Sequence, residues 1–231
     1  MRKSRILIVD DDIGVVKSVR ANLQARDWET VVAMDGVEAL EAIGREQPDL
    51  VILDITMPRM DGFEVCRQVR EWSRIPIIML SARHDVEEKV KCLNMGADDY
   101  VTKPFGVNEL AARVTAVLRR TKEAGAEPTA PDFSSGDLRV NFVERRVTVR
   151  GREVKLTPTE YNLLQELVLG AGRVFSHSTL LGRVWGPEYA DEREYLHVFV
   201  GRLRKEIEPD PQHPQYIITV PGVGYRFQGA S

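Results

Sequence analysis

A doubly wound α/β domain with a five-stranded parallel sheet, followed by an α+β winged helix-turn-helix domain, is the fold that this sequence predicts. Three observations predict it. In the first half, short apolar runs alternate with amphipathic stretches at helical spacing, the pattern of a parallel sheet covered on both faces. Acidic residues close two of those runs: Asp10-Asp11-Asp12 after residues 6–9, and Asp54 after residues 50–53. Open α/β sheets place their ligands at such strand ends. Residues 121–132 then contain two prolines, no aromatic and no aliphatic side chain larger than Ala, so they read as a linker. The 231 residues therefore divide into domains at 1–120 and 133–231, joined by 121–132.

The strands of the first domain are expected over residues 5–10, 29–34, 50–54, 76–80 and 99–102. The third, Leu50-Val51-Ile52-Leu53-Asp54, is apolar without alternation, as suits a strand buried on both faces. Between the strands, Ile13, Val16, Val19 and Leu23 form the first helical stripe. Val37, Leu40 and Ile43 form the second, and Phe63, Cys66, Val69 and Trp72 the third. A fourth helix runs over 85–95 and stops at Gly96, and a fifth runs over about 107–120.

Parallel neighbours would bring Asp54 beside the Asp10-Asp11-Asp12 group. Two unit charges ~4 Å apart repel by roughly 4 kcal/mol at a protein-like dielectric, so such a cluster calls for a hard divalent cation. Mg2+ fits, because it takes one or two carboxylates and keeps room for phosphate oxygens. Ser81 ends a further apolar run, and Lys103 supplies a point charge for a phosphoryl oxygen. Acid cluster, lone Asp, hydroxyl and lysine together describe an aspartate that accepts a phosphoryl group. Taken singly, each residue reads as a turn, cap or surface position.

In this order the set resembles the receiver domain of bacterial two-component response regulators, over about residues 4–120. The resemblance rests on Asp10-Asp11, Asp54 with Met57-Pro58 and Asp61-Gly62, Ser81-Ala82, Gly96-Ala97-Asp98-Asp99-Tyr100 and Lys103-Pro104-Phe105. It implies that Asp54 is the phosphoacceptor and that Asp11 and Asp54 ligate Mg2+ directly. Asp10 would help through water, and the Thr56 carbonyl would complete the shell. Ser81 and Tyr100 would be a switch pair, with Tyr100 turning inward on phosphorylation, and Lys103-Pro104 would carry a cis peptide. It also implies a homodimer on phosphorylation, through the face of the fourth helix, fifth strand and fifth helix. There Lys89, Lys91, Asp98, Asp99, Glu109, Arg113 and Arg120 would form ion pairs.

The second half opens with β alternation at Leu138, Val140 and Phe142, then Val147 and Val149, a turn at Gly151, and Val154 and Leu156. Thr157-Pro158-Thr159-Glu160 reads as a helix start with a capping box and Pro at N1. Ser176 caps a second helix. A third begins near Asp191, with Leu196, Val200, Leu203 and Ile207 as its core stripe. Tyr195, Val198 and Arg202 are then expected on the opposite face, where an Arg can read guanine in a major groove. Arg204 and Lys205 flank it for phosphates. Residues 216–220 and 224–227 close a hairpin around Pro221-Gly222-Val223.

This half resembles the effector domain of the OmpR/PhoB regulators, on Leu156-Thr157-Pro158-Thr159-Glu160-Tyr161, Val184-Trp185, Arg202-Leu203-Arg204-Lys205 and Gly222-Val223-Gly224-Tyr225-Arg226-Phe227. Arg226 joins the DNA-contacting set by that resemblance. Two positions depart from it: Pro221 stands where many members have a minor-groove Arg, and Gly201 where a phosphate-contacting Arg is frequent. Tyr195-Leu196-His197-Val198 with Pro221-Gly222-Val223-Gly224 is most similar to the KdpE branch, which controls potassium-uptake genes.

Composition is consistent with these readings. Hydrophobic content of 43% and charged content of 29% describe a globular chain, and no apolar run nears the ~18 residues of a membrane span. The basic start, Met1 to Arg5, is followed by an apolar run that stops at Asp10, which speaks against a signal peptide. Cys66 and Cys92 lack metal-ligand spacing and read as reduced packing residues. Residues 1–132 carry 19 basic and 23 acidic side chains (−4), and residues 133–231 carry 13 and 12 (+1). DNA binding therefore rests on pattern rather than charge.

The resemblance implies a cytoplasmic partner set: a sensor histidine kinase, double-stranded promoter DNA, RNA polymerase and a second copy of the chain, with no membrane. The alternatives weighed are an aspartate-nucleophile phosphatase of the haloacid-dehalogenase type and a phosphorylation-independent DNA-binding regulator. The first needs an acid two residues after the nucleophile, where this chain has Thr56, so an enzyme is not expected. The second is opposed by the complete set of Asp10, Asp11, Asp54 and Lys103.

Overall fold

The computed structural model describes residues 2–122 and 132–229, and the chain divides into two compact units, Met1–Leu118 and Arg119–Ser231. In the first unit, β1 (Arg5–Val9), β2 (Glu29–Ala33), β3 (Leu50–Asp54), β4 (Ile77–Ser81) and β5 (Asp99–Thr102) form one sheet in the order β2-β1-β3-β4-β5. All its pairings are parallel. Every residue of β3 and β4 is buried, as their unbroken apolar runs require. The register pairs Val9 with Leu53, so Asp10 and Asp54 leave the sheet side by side.

Four helices start with the same device. Asp12, Asp35, Asp61 and Asp85 cap α1 (Ile13–Gln24), α2 (Gly36–Glu46), α3 (Gly62–Trp72) and α4 (Val86–Asn94), each carboxylate accepting from backbone N–H groups of the first turn. Asp12 thus serves as a cap. Gly62 is required where it stands, because a Cβ there would lie 2.2 Å from the Asp54 carbonyl oxygen. The expected stripes hold in the helix middles and fail at their ends. Val16, Val19 and Leu23 are buried, whereas Ile13, the first residue of α1, and Trp72, the last of α3, are each 55% exposed. Val37 is likewise exposed, and Ala39 and Ala42 join Ile43 on the inner face. The fifth helix, α5 (Val107–Lys122), runs two residues into the expected linker. Residues 123–131 of that linker lie outside the described residues.

The second unit opens with a four-stranded antiparallel sheet: β6 (Phe133–Ser135), β7 (Leu138–Asn141), β8 (Arg146–Val149) and β9 (Arg152–Val154). Arg150 and Gly151 both have positive φ, 52° and 74°, as a two-residue hairpin of type I′ needs. Then come α6 (Pro158–Leu169), β10 (Val174–Ser176), α7 (His177–Val184), a 3-10 turn at Pro187–Tyr189 and α8 (Arg193–Ile207). The hairpin β11 (Ile217–Val220) and β12 (Gly224–Phe227) completes a sheet in the order β10-β12-β11. The capping box is present: Thr157 accepts from the Glu160 N–H and Glu160 from the Thr157 N–H. Strand β10 was not expected. Its three residues precede the Ser176 cap, and Gly224 admits it, since a Cβ there would lie 2.0 Å from the Phe175 carbonyl oxygen.

Candidate functional sites

At the end of the parallel sheet, Asp10, Asp11 and Asp54 each offer an oxygen within 4.8 Å of the others. Lys103, just past β5, places Nζ 2.6 Å from Asp10 Oδ2 and 2.5 Å from Asp54 Oδ1. The Thr56 N–H donates to Asp54 Oδ2 at 2.9 Å and the Asp12 N–H to Asp10 Oδ1 at 2.9 Å. Asp10 and Asp54 are buried and Asp11 is exposed. Burial pushes the Asp54 carboxyl above its ordinary range, against the pull of Lys103. For Lys103, burial favours the neutral amine, but hydrogen bonds to Asp10 and Asp54 outweigh it and hold the pKa above its usual value. Three carboxylates facing one ammonium form an all-oxygen donor set with negative charge left over, which suits a hard cation. The Lys103-Pro104 peptide is cis.

Ser81 and Tyr100 stand beside this pocket. The Ser81 hydroxyl donates to Glu88 Oε1, and the Arg83 N–H donates to the Ser81 oxygen at 3.0 Å. Tyr100 is 3% exposed and its hydroxyl donates to the Arg83 carbonyl. In this structure the ring lies inward, held by a backbone acceptor. Glu88 was not anticipated, because an acid in a helix's first turn reads as a surface group. Its contact gives a prediction. Glu88→Ala is expected to free the Ser81 hydroxyl for an oxygen on Asp54, raising the steady-state phosphorylated fraction about two- to fivefold, the scale of one hydrogen bond. Phosphoprotein gel analysis after acetyl phosphate treatment checks this, and an unchanged fraction would rule the restraint out.

The expected dimer residues separate into two groups. Asp98 is fully buried, paired with Arg70 at 3.1 Å and accepting from the Ile77 N–H, so it is corrected to an internal ion pair. Arg120 belongs to the second unit and is 1% exposed, its Nη1 donating to the Trp185 carbonyl, so it too is no surface group. Asp99 is buried and pairs with Arg113 at 3.1 Å, and Arg113 also reaches Glu109 at 3.3 Å. Lys91 lies 3.9 Å over the Phe63 ring. Lys91 and Glu109 are exposed, while Lys89 is half-buried. Cys66 and Cys92 are buried thiols, Cys66 donating to the Met95 carbonyl, and burial pushes Cys92 up to about 12.

In the second unit, the expected reading face of α8 is rotated. Arg202 is not outward: its Nε pairs with Glu160 Oε1 at 2.7 Å, with side chains 10% and 7% exposed. Tyr195 is 1% exposed, stacked edge-on against Trp185 and Tyr189, and Val198 is 7% exposed. The cause is the width of the buried arc, which takes in Tyr195, Leu196, Val198, Phe199, Val200, Leu203 and Ile207. At 3.6 residues per turn, the remaining face carries Arg193, His197, Gly201 and Lys205. Arg193, His197 and Lys205 are exposed, and a Cβ on Gly201 would meet nothing within 4 Å. Arg204 is tied inward as well, donating to the Ile217 carbonyl at 2.6 Å and to Thr219 Oγ1 at 2.9 Å. Arg226 is half-buried beside Gln228. His197 Nδ1 meets the Tyr225 hydroxyl at 2.7 Å, and the His177 ring lies 5.6 Å from that of His197. The spacing of Arg193, His197 and Gly201 at i, i+4 and i+8 was the available signal for this face.

Comparison with known proteins finds relatives of both domains. Residues 6–115 match the family described as the response regulator receiver domain, and residues 151–227 the family described as the transcriptional regulatory protein, C terminal. The chain is 47% identical to the response regulator MprA of Mycobacterium avium, covering 96% of each protein. It is 42% identical to the transcriptional regulatory protein KdpE of Mycobacterium tuberculosis, over 96% of this chain and 98% of that one. The crystal structure of the response regulator DrrB, a Thermotoga maritima OmpR/PhoB homolog, aligns over 99% of this chain and 100% of its own. The TM-score is 0.53 at 33% identity. Among the described residues, no helix is long and apolar enough to cross a membrane.

Proposed function

This chain belongs to the OmpR/PhoB-type response regulators, which join a receiver domain to a transcriptional regulatory domain, and from that premise we propose how its own residues carry the signal. It is a phosphorylation-dependent, DNA-binding regulator of transcription in a two-component system. We assign the phosphoacceptor to Asp54, supplied by a sensor histidine kinase. The carrying observation is the buried Asp54 carboxylate sharing Lys103 with Asp10 at the open end of the sheet.

In the transfer, an Asp54 oxygen forms a bond to phosphorus as the bond to the donor breaks, the leaving group keeping the electron pair. Lys103 then follows the charge from the carboxylate to the phosphoryl oxygens. Asp10, Asp11, Asp54 and the Thr56 carbonyl would hold Mg2+, which supplies neutralisation of phosphoryl oxygens when bound. The face of α4, β5 and α5 would form the phosphorylation-dependent dimer, with exposed Lys91 and Glu109 as its charged contacts. The α8 face of Arg193, His197, Gly201 and Lys205 would enter the DNA major groove, in place of Arg202. RNA polymerase would be engaged from the DNA-bound dimer, at the cytoplasmic site of transcription.

The test uses full-length protein and a labelled duplex from upstream of its own gene. Acetyl phosphate with Mg2+ is expected to tighten binding by at least about tenfold, a coupling of ordinary size, and EDTA to abolish the gain. In sedimentation, Lys91→Glu is expected to keep phosphorylation while holding the protein monomeric. Unchanged dimerisation would move the interface elsewhere, and binding indifferent to acetyl phosphate would overturn the phosphorylation-dependent reading.

A further inference from the structure

The second unit contains a cavity of about 230 Å³ that signalling and DNA binding leave unused. It opens between the four-stranded sheet of β6 to β9 and α6, with Val147, Val154, Leu156 and Pro158 among its apolar walls and Arg145 and Tyr161 at its polar end. The Tyr161 hydroxyl is buried and has no hydrogen-bond partner among the described residues, in a residue only 4% exposed. Native proteins rarely leave such a group unpaired, and each instance points to an absent partner or a functional role.

Arg145 is the second observation. Its guanidinium carbon lies 3.8 Å from the centre of the Tyr161 ring, and its Nη2 donates to Asn162 Oδ1 at 2.5 Å. It pairs with no carboxylate among the described residues, and burial holds its pKa below the usual arginine range. Stacking on the ring uses the face of the guanidinium and leaves Nε and Nη1 without an acceptor among the described residues. The backbone adds a third: Arg145 has φ of +50°, a left-handed conformation uncommon for a side chain of this size.

We propose that this cavity binds a small monocarboxylate with a compact apolar body. The carboxylate would accept from the free edge of Arg145, whose planar fork matches it, and from the Tyr161 hydroxyl. The body would lie against Val147, Val154 and Leu156. Size fits one ring: a cavity of roughly 150 Å³ holds benzene, so this one has room for a ring and its acid group. A dianion suits the place less well, since one arginine cannot balance two charges beside apolar walls. The ligand would stabilise the second unit by mass action, giving the regulator a chemical input separate from phosphorylation.

The test titrates benzoate into 15N-labelled full-length protein, with benzamide and inorganic phosphate as separate probes. Saturable amide shifts confined to the surroundings of Arg145, Tyr161 and Val154 are expected for benzoate. Benzamide should bind at least about tenfold more weakly, as expected when a charge-assisted pair is lost, and phosphate should not saturate. Arg145→Gln should abolish the benzoate shifts. Tyr161→Phe removes one oxygen and should weaken binding about three- to fivefold without lowering the melting temperature, which decides the matter if Arg145→Gln folds poorly. Benzamide binding as tightly as benzoate, saturation by phosphate, benzoate binding unaltered in both variants, or no saturable shift would each overturn the proposal.

Discussion

Replacing Asp54 by Asn is expected to remove all phosphoryl gain from the protein, measured as intact mass after incubation with acetyl phosphate and Mg2+. The carboxamide has the same shape but lacks the anionic oxygen that must bond to phosphorus. No substitute stands ready: Asp10 is held by Lys103 and the Asp12 N–H, and Asp11 is exposed at the rim. A phosphoryl mass retained by Asp54→Asn would remove Asp54 from the role. A second readout has the opposite sign. Without divalent cation, three carboxylates crowd one ammonium, and burial already disfavours the charge on Asp54. A group whose folded pKa is raised contributes stability below its unfolded pKa and loses it as pH rises through the folded value. Above its folded pKa the ionised Asp54 is therefore a liability, and there Asp54→Asn should melt at or above the wild-type temperature.

Arg202→Ala is expected to destabilise the second unit and leave DNA sequence preference unchanged. Removing one partner of a buried ion pair costs about 3–5 kcal/mol, because the other charge stays buried and unpaired. Here that partner is Glu160, which also closes the cap of α6. For a domain of this size, a loss on that scale lowers Tm by well over ~10 °C. Arg193→Ala and His197→Ala should do the reverse, altering the preferred bases at nearly unchanged Tm, since both side chains are exposed. Thermal melts and a selection from randomised duplexes separate the two. An Arg202→Ala protein that melts normally but selects a different sequence would return the reading role to Arg202.

The receiver was legible because each of its site groups ends an apolar run or starts a helix, so sequence position and spatial position carry the same information. Asp54, Ser81 and Lys103 are read this way, whereas the Asp caps of α1, α2 and α3 were not anticipated. What escaped reading depended on partners distant in the chain. Asp98 looked like a surface acid until Arg70 was found beside it, and Glu88 looked solvated until Ser81 reached it. On α8 the core stripe was correct, but a stripe fixes only the middle of the buried face. Aromatic packing around Trp185, Tyr189, Tyr195 and Phe199 widened that face until Arg202 lay within it. Ile13 and Trp72 erred in the other direction, apolar by type yet exposed at the ends of α1 and α3.

Arg204 fastens α8 to β11, and the Glu208 carboxylate fastens the end of the same helix by accepting from the Gln215, Tyr216 and Ile217 N–H groups. These two clasps set the distance from helix to wing, and neither uses a residue of the exposed face. Mechanics and vocabulary are thus written largely on different side chains, His197 alone of that face also reaching the wing through the Tyr225 hydroxyl. Arg193, Gly201 and Lys205 can be exchanged one at a time, in a genome or in a library, without disturbing the frame that carries them. Descendants of such a chain can acquire new target sites by drift along that one face, each step costing little in folding. The groove spacing their targets must present stays inherited.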